Sequence, residues 1–260
     1  MLLEGKSIVI IGGTTGLGLS AARSFISRGA MVVVTGMTAV DEAEGAIGSN
    51  GVVIGSDARQ EGSAESAISL CLERFGGFHG LYHVAGGSGR RYGDGPLHEL
   101  NLEGWNATLE LNLTSLMLSN RAAVRQFHTQ GGGGAILNMG SVLATSPSSP
   151  YFTTHAYAAS KAAIEGFSKS IAAHYAADNI RINVIAPGLI ETPMSLRAKS
   201  DERIMSFIRT KQPLDGGRIG STNDLDGMAG LLLSDEGAFI TGQVIRVDGG
   251  WSVSEGQSSN

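Results

Sequence analysis

Short runs of β-branched and aliphatic residues alternate along the chain with longer stretches in which apolar positions return every three or four residues. The runs predict strands at Ser7–Ile11, Met31–Thr35, Val52–Gly55, Gly80–Val84, Ala135–Met139, Arg181–Ile185 and Gln243–Val247. Several are apolar at consecutive positions, the pattern of strands covered on both faces. The stretches between them predict helices near Leu17–Arg28, Glu61–Phe75, Leu102–Phe127, Ala156–Ala176 and Asn223–Leu233. Strand, helix, strand in regular succession implies right-handed crossovers, so the expected fold is α/β: a doubly wound parallel sheet of about seven strands with helices on both faces. No linker divides the pattern, and residues 1–260 read as a single domain. The Gly131–Gly134 run reads as a flexible turn before a strand, because no helix follows it to make a phosphate loop.

Two helices are apolar over most of their circumference. One carries Leu109, Leu113, Leu116, Met117, Val124 and Phe127, with Leu102, Leu111 and Leu118 elsewhere on its surface. The other carries Ala158, Ala159, Ala162, Ala163, Ile164, Phe167, Ile171, Ala172 and Ala173. Something must cover such helices. Either the core of the same chain does so, or a second subunit approaches closely over the small alanines.

Composition narrows the class. With 42% hydrophobic and 17% charged residues the chain is globular, and the 38 glycines follow no fixed period. The formal net charge is -5 without any dense basic cluster, so nucleic acid is not an expected partner. No apolar run approaches the roughly 20 residues that span a bilayer, and Met1–Lys6 lacks the features of a secretory leader, so a cytoplasmic location is expected. The lone Cys71 lies in an apolar helical pattern and reads as a buried structural thiol.

The first strand runs into Gly12-Gly13-Thr14-Thr15-Gly16-Leu17-Gly18 and then a helix. Glycines at that junction allow a tight turn and close approach of backbone to a pyrophosphate, which the helix N-terminus would hold. An acidic residue ending the next strand would bind a free adenosine ribose, but Val34-Thr35-Gly36-Met37-Thr38 holds neither a carboxylate nor an arginine. The choice between NAD and NADP is therefore open, with the missing repelling acid favouring NADP and Asp41 or Glu42 able to fold back.

Tyr157 and Lys161 stand one helical turn apart on one face. Tyrosine titrates near 10, and an adjacent ammonium with a cationic nicotinamide ring would draw it towards neutrality, where acid–base catalysis is effective. Ser141 follows the strand Ala135–Met139 at a carboxyl end, where open α/β sheets place ligands and a hydroxyl can bind a carbonyl oxygen. Asn112, within a long helix among apolar neighbours, needs a reason: a backbone or water hydrogen bond towards the lysine, or a simple kink.

Together with Asp57, Pro187-Gly188, Thr192, Thr241-Gly242-Gln243 and Asp248-Gly249-Gly250, these motifs resemble, in order over nearly the whole chain, the short-chain dehydrogenases/reductases. The resemblance implies a Rossmann-type fold and an NAD(P)-dependent oxidoreductase that moves a hydride between nicotinamide and a secondary alcohol or ketone. Tyr157 would be the acid/base, Ser141 would orient the substrate oxygen, Lys161 would tune the phenol and hold the nicotinamide ribose, and Asn112 would anchor a relay water. Cofactor contacts would come from Gly12, Thr14, Thr15, Gly16, Leu17, Gly18, Gly36, Met37, Asp57, Ala58, Ala85, Gly86, Tyr157, Lys161, Pro187, Gly188, Ile190 and Thr192. Asp57 would meet the adenine, although on residues alone it reads as a turn or cap. No metal site is assigned. The resemblance further implies a homo-oligomer, a tetramer or dimer, built on the two apolar helices.

Three departures stand out. The family's Asn-Asn-Ala-Gly is His83-Val84-Ala85-Gly86 here, with His83 reading as a structural histidine of its strand. Extra residues, Thr145-Ser146-Pro147-Ser148-Ser149-Pro150, are expected to reshape the pocket rim. The cofactor-selecting position is neutral. The segment Glu191–Gly217 resembles the family's substrate lid; some of its cations Arg197, Lys199, Arg203, Arg209 and Lys211 could meet an anionic substrate, but a solvated helix face is the favoured reading, and Arg90 and Arg91 pose the same question. The substrate stays open, a small carbonyl or alcohol. A dinucleotide-binding regulator or scaffold without turnover is the alternative, disfavoured because a pure binder has no use for all four of Asn112, Ser141, Tyr157 and Lys161. An epimerase or dehydratase on a nucleotide sugar is disfavoured by the little chain that follows Asp248-Gly249-Gly250.

Overall fold

In the computed structural model, which describes residues 1–148 and 151–257, seven strands form one parallel sheet in the order β3-β2-β1-β4-β5-β6-β7. They are β1 Ser7–Ile11, β2 Met31–Gly36, β3 Gly51–Gly55, β4 Gly80–His83, β5 Gly134–Met139, β6 Ile180–Pro187 and β7 Val244–Val247. All seven expected strands are present, with ends moved by one or two residues. Consecutive side chains of a strand point to opposite faces, and β1 shows what each face meets. Ile8 and Ile10 pack with Phe25, Leu225 and Leu232, while Val9 and Ile11 pack with Cys71, Val124 and Phe127. Both faces are thus covered, as the uninterrupted apolar runs require.

The helices are α1 Gly16–Ser27, α2 Val40–Ile47, α3 Ser63–Phe75, α4 Leu102–Leu109, α5 Ser115–Gln130, α6 His155–Tyr175, α7 Leu196–Lys199, α8 Glu202–Lys211 and α9 Asp226–Leu233. The single helix expected over Leu102–Phe127 is instead α4 and α5 joined by a π-helical turn, Glu110–Thr114. Its cause lies in Asn112, whose Nδ2 donates to the Thr108 carbonyl at 2.9 Å and competes for the helical ladder. The sequence pattern missed α2, which buries only Ala43 and Ile47. Cys71 is buried, its Sγ–H directed at the Gly77 carbonyl, and burial pushes its thiol up to about 12, which makes it a structural and unreactive thiol.

The two apolar helices are covered in part by their own chain. Leu116, Val124 and Phe127 of α5 and Ile164 and Ala172 of α6 are buried, whereas Ala162, Ala163 and Ala173 stay exposed on the outer face of α6. Segment 191–217 contains α7 and α8, with Asp201 capping α8 by accepting from the Arg203 and Ile204 N–H groups. Ala198, Ile204, Phe207 and Ile208 pack there against Val142 and Trp251. Among the described residues, no helix is long and apolar enough to cross a membrane.

Candidate active site

A cavity of about 650 Å³ opens beyond the carboxyl ends of the strands, where the loops after β1, β2, β3, β4, β5 and β6 converge. β1 lies between β2 and β4, so the order of the strands reverses at this point, and the crevice so formed is where doubly wound sheets bind ligands. The volume falls within the range of cofactor pockets, about 300–1,000 Å³.

The β1–α1 loop forms one end. Gly12 has φ +85°, and a Cβ there would lie 2.5 Å from the Ala85 backbone nitrogen, so the loops after β1 and β4 meet in a way only glycine allows. A Cβ on Gly18 would lie 2.3 Å from the Gly12 carbonyl oxygen, so this glycine lets α1 start directly against the turn. Gly18 is therefore beneath the loop and off the cavity wall, unlike Gly12, Thr14, Thr15, Gly16 and Leu17. Thr15, the N-cap of α1, makes no side-chain cap, and the first turn has no acidic residue. Its free N–H groups and positive dipole end suit a phosphate.

Gly36, Met37 and Thr38 line the wall after β2, with no charged group among them. Asp57 and Ala58 line it after β3, together with Arg59. The Arg59 guanidinium grips Asp57, Nη2 to Oδ2 at 2.6 Å and Nε to Oδ1 at 3.0 Å, and Asp57 Oδ1 also accepts the Arg59 N–H. That bonding holds the Asp57 carboxyl below the usual carboxylate range. Asp57 is thus a turn acceptor and a wall residue at once. Ala85, Gly86, Pro187, Gly188, Ile190 and Thr192 complete the expected wall.

The other end holds the chemistry. Ser141 sits two residues past β5, where its Oγ accepts the Leu143 N–H at 3.2 Å, and it shares the cavity wall with Tyr157. Tyr157 lies in the first turn of α6. Burial raises its pKa above the ordinary tyrosine value, and the Ser141 hydroxyl opposes that. Lys161 is buried, its Nζ 5.5 Å from the Tyr157 ring centroid and donating to the Met139 carbonyl at 2.8 Å. Burial drops the ammonium to about 7. Lys161 thus stands beside the phenol ring with its ammonium bonded to a backbone carbonyl.

Asn112 is buried and off the cavity wall. Its Oδ1 accepts the Gly87 N–H at 3.0 Å, and its Nδ2 donates to the Gly87 and Thr108 carbonyls at 2.9 Å each. The side chain thereby fixes the β4 loop beneath the wall, with one lone pair of Oδ1 left over. His83 is likewise buried and off the wall, its Nδ1 2.7 Å from Ser119 Oγ, and burial presses its pKa down to about 3. It is a neutral structural histidine.

Sequence reasoning missed Asp94. It is buried in the loop after β4, and its two oxygens accept the Ala156 and Tyr157 N–H groups at 3.0 and 2.9 Å. A carboxylate from more than sixty residues away thus caps the helix that carries Tyr157, whose own N-cap, Thr154, makes no cap bond. Also missed were the apolar walls Leu143, Phe152 and Trp251. Trp251 Nε1 donates to the Ser146 carbonyl, so the inserted segment does reach the rim, although Ser149 and Pro150 lie outside the described residues.

A family model for enoyl-(acyl carrier protein) reductases matches residues 12–252. The chain is 32% identical over 257 residues to 2,5-dichloro-2,5-cyclohexadiene-1,4-diol dehydrogenase of Sphingobium indicum, covering 96% of this chain and 98% of that one. It is 33% identical over 258 residues to the NADP-dependent (R)-specific alcohol dehydrogenase of Lentilactobacillus kefiri, with the same coverage of 96% and 98%. A short-chain type dehydrogenase/reductase from Mycobacterium ulcerans superposes with TM-score 0.87 at 29% identity, covering 98% of this chain and 93% of that one. The chain belongs to the short-chain dehydrogenase/reductase family. It is an oxidoreductase acting between alcohol and carbonyl groups.

Proposed function

We propose that the protein is an NAD(P)-dependent dehydrogenase/reductase of a secondary alcohol or ketone in which Tyr157 is the acid/base. The observation that carries this reading is one continuous cavity, with an uncapped helix N-terminus at one end and Ser141, Tyr157 and Lys161 together on the wall at the other. A bound nicotinamide cofactor would supply or accept the hydride. The first turn of α1 would hold its pyrophosphate, the loops after β2 and β3 its adenosine half, and the 187–192 stretch its nicotinamide half. In reduction, Ser141 holds the substrate oxygen while Tyr157 delivers a proton to it; oxidation reverses the transfer. Lys161 and Asp94 act on position, the first beside the phenol ring, the second by fixing the backbone of Tyr157. Residues 1–260 would act as one catalytic unit with 191–217 as its substrate lid.

NADP is the favoured cofactor. No carboxylate at the end of β2 repels a 2′-phosphate, Arg59 stands on the adenosine side, and the L. kefiri relative is NADP-dependent. Titration with NADPH and NADH, followed by nicotinamide fluorescence, is expected to give about tenfold tighter binding of NADPH, or 1.4 kcal/mol. Tighter NADH binding reverses the cofactor assignment, and binding of neither removes the dinucleotide reading altogether.

A homo-oligomer is proposed as well, on the exposed Ala162, Ala163, Gly166 and Ala173 of α6, whose small side chains let a second helix approach closely. Size-exclusion chromatography with light scattering should give at least a dimer at micromolar concentration. A monomer there would end this proposal.

A further inference from the structure

Charge in the cavity runs against the charge of the chain. The protein has 24 acidic and 19 basic residues, yet the cavity wall holds Arg59, Arg90, Arg91, Lys161 and Arg197 against a single carboxylate, Asp57. Arg59 is matched with Asp57, Lys161 is buried against the Met139 carbonyl, and Arg91 lies over the Tyr92 ring at 4.6 Å. Arg90 and Arg197 remain. Arg90 comes from the loop after β4 and Arg197 from α7, and both are exposed residues at the edge of the cavity.

The structure also separates them from the other lid cations. Lys199 pairs with Glu191 and Arg203 with Asp201, and neither lines the cavity. Among the described residues, no ion pair engages Arg90 or Arg197; Arg197 Nη2 donates only to the Tyr151 carbonyl, at 3.1 Å. Both guanidiniums line the same cavity, and burial, with the charge of Arg197 adding to it, lowers the pKa of Arg90. Asp94, the carboxylate that favours the Arg90 charge, already spends both oxygens on the backbone of α6. Two guanidiniums on one cavity rim that no carboxylate pairs with directly favour an anion there, and guanidiniums match a carboxylate with paired hydrogen bonds. The phosphates of a cofactor have their own place at the N-terminus of α1. Much of the remaining substrate wall is apolar, Val142, Leu143, Phe152, Leu189 and Trp251, with the hydroxyls of Ser88, Thr154 and Ser195 among them.

We propose that the substrate is a hydroxy acid or keto acid whose carboxylate is held by Arg90 and Arg197 while its reacting oxygen lies on Ser141 and Tyr157, with hydrocarbon spanning the apolar wall. This rests on the oxidoreductase reading above. In oxidation the carbinol carbon gives a hydride to the nicotinamide and the hydroxyl proton leaves through Tyr157, producing the ketone and the reduced cofactor. The carboxylate is unchanged.

The test uses matched ketones with the wild-type protein and NADPH: 4-oxopentanoate against 2-pentanone, 4-oxocyclohexanecarboxylate against cyclohexanone, and 7-oxooctanoate against 2-octanone. At least one acid is expected to exceed its neutral partner in kcat/KM by about tenfold, with the preference shrinking as salt is added. Arg90→Gln and Arg197→Gln should each cut that ratio by about fivefold or more, and the lysine replacements should retain more of it. Neutral ketones reduced as well as the acids would overturn the proposal and leave the oxidoreductase reading intact. Binding is read separately through quenching of tryptophan fluorescence with NADP⁺ present, since Trp251 lies on the wall. Saturable quenching by an acid and not by its neutral partner, lost in Arg90→Gln, supports the carboxylate site even if no ketone is reduced, in which case only the catalytic reading falls. No quenching by any of the acids up to about 10 mM overturns the proposal, because that concentration exceeds even a weak millimolar affinity.

Discussion

Tyr157→Phe is expected to lower kcat by about a thousandfold, within the range of about 10²–10⁴ contributed by a positioned acid or base. The Kd for NADPH should meanwhile change by less than about fivefold, because one hydrogen bond lost with the hydroxyl is worth about 1 kcal/mol. The split follows from where the hydroxyl stands. It stands with Ser141 at the chemical end of the cavity, whereas the α1 turn that suits a pyrophosphate lies at the other end. Lys161 keeps its bond to the Met139 carbonyl and Asp94 keeps its bond to the residue 157 N–H, since neither uses the phenol oxygen. The substitution therefore removes the proton and leaves the frame. Steady-state reduction and nicotinamide fluorescence on the same preparation decide the matter. Equal losses in kcat and in cofactor affinity would mean that the hydroxyl holds the cofactor and does not move the proton.

The frame itself was the part most open to reading. Strands buried on both faces must be apolar at successive positions, and the runs at Ser7–Ile11 and Ala135–Met139 are, so sheet and strand ends followed directly. Ser141 was found because it lies just past the carboxyl end of such a run, and Tyr157 with Lys161 because a helix places residues four apart on one face. What stayed hidden was decided by contacts distant in sequence or by competition within a helix. Asp94 caps α6 from the β4 loop, so no local capping pattern marks it. The π turn follows from Asn112 taking the Thr108 carbonyl, a contest that apolar periodicity does not register. Arg59 stands two residues after Asp57 and was within reach of a charge-pair reading of that turn. The lid cations all read as a solvated face, because only the packed position of α7 separates Arg197 on the wall from Lys199 and Arg203 beside it.

His83→Asn is expected to flatten the acid side of the stability profile. The His83 ring is wholly buried on β4 against Ser119, with its folded pKa near 3 against an ordinary 6.5. Below pH 6.5 the unfolded chain takes up a proton that the folded chain refuses, so the folded state loses stability as pH falls towards 3. The loss runs at about 1.4 kcal/mol per pH unit and reaches about 2 kcal/mol by pH 5. Above pH 6.5 both states hold the ring neutral and the effect vanishes. Lys161 does not confuse this window. Its folded pKa of about 7 against an ordinary 10.5 costs stability as pH falls from 10.5 to 7, and that cost is complete and constant below. Asparagine cannot titrate, yet it still offers Ser119 a hydrogen-bonding partner. Urea midpoints of the two proteins should therefore agree near pH 7.5, apart from a constant offset, and diverge steadily towards pH 5, with wild type falling faster. Parallel acid limbs would show that His83 takes up its proton inside the folded protein, so that burial against Ser119 does not hold the ring neutral.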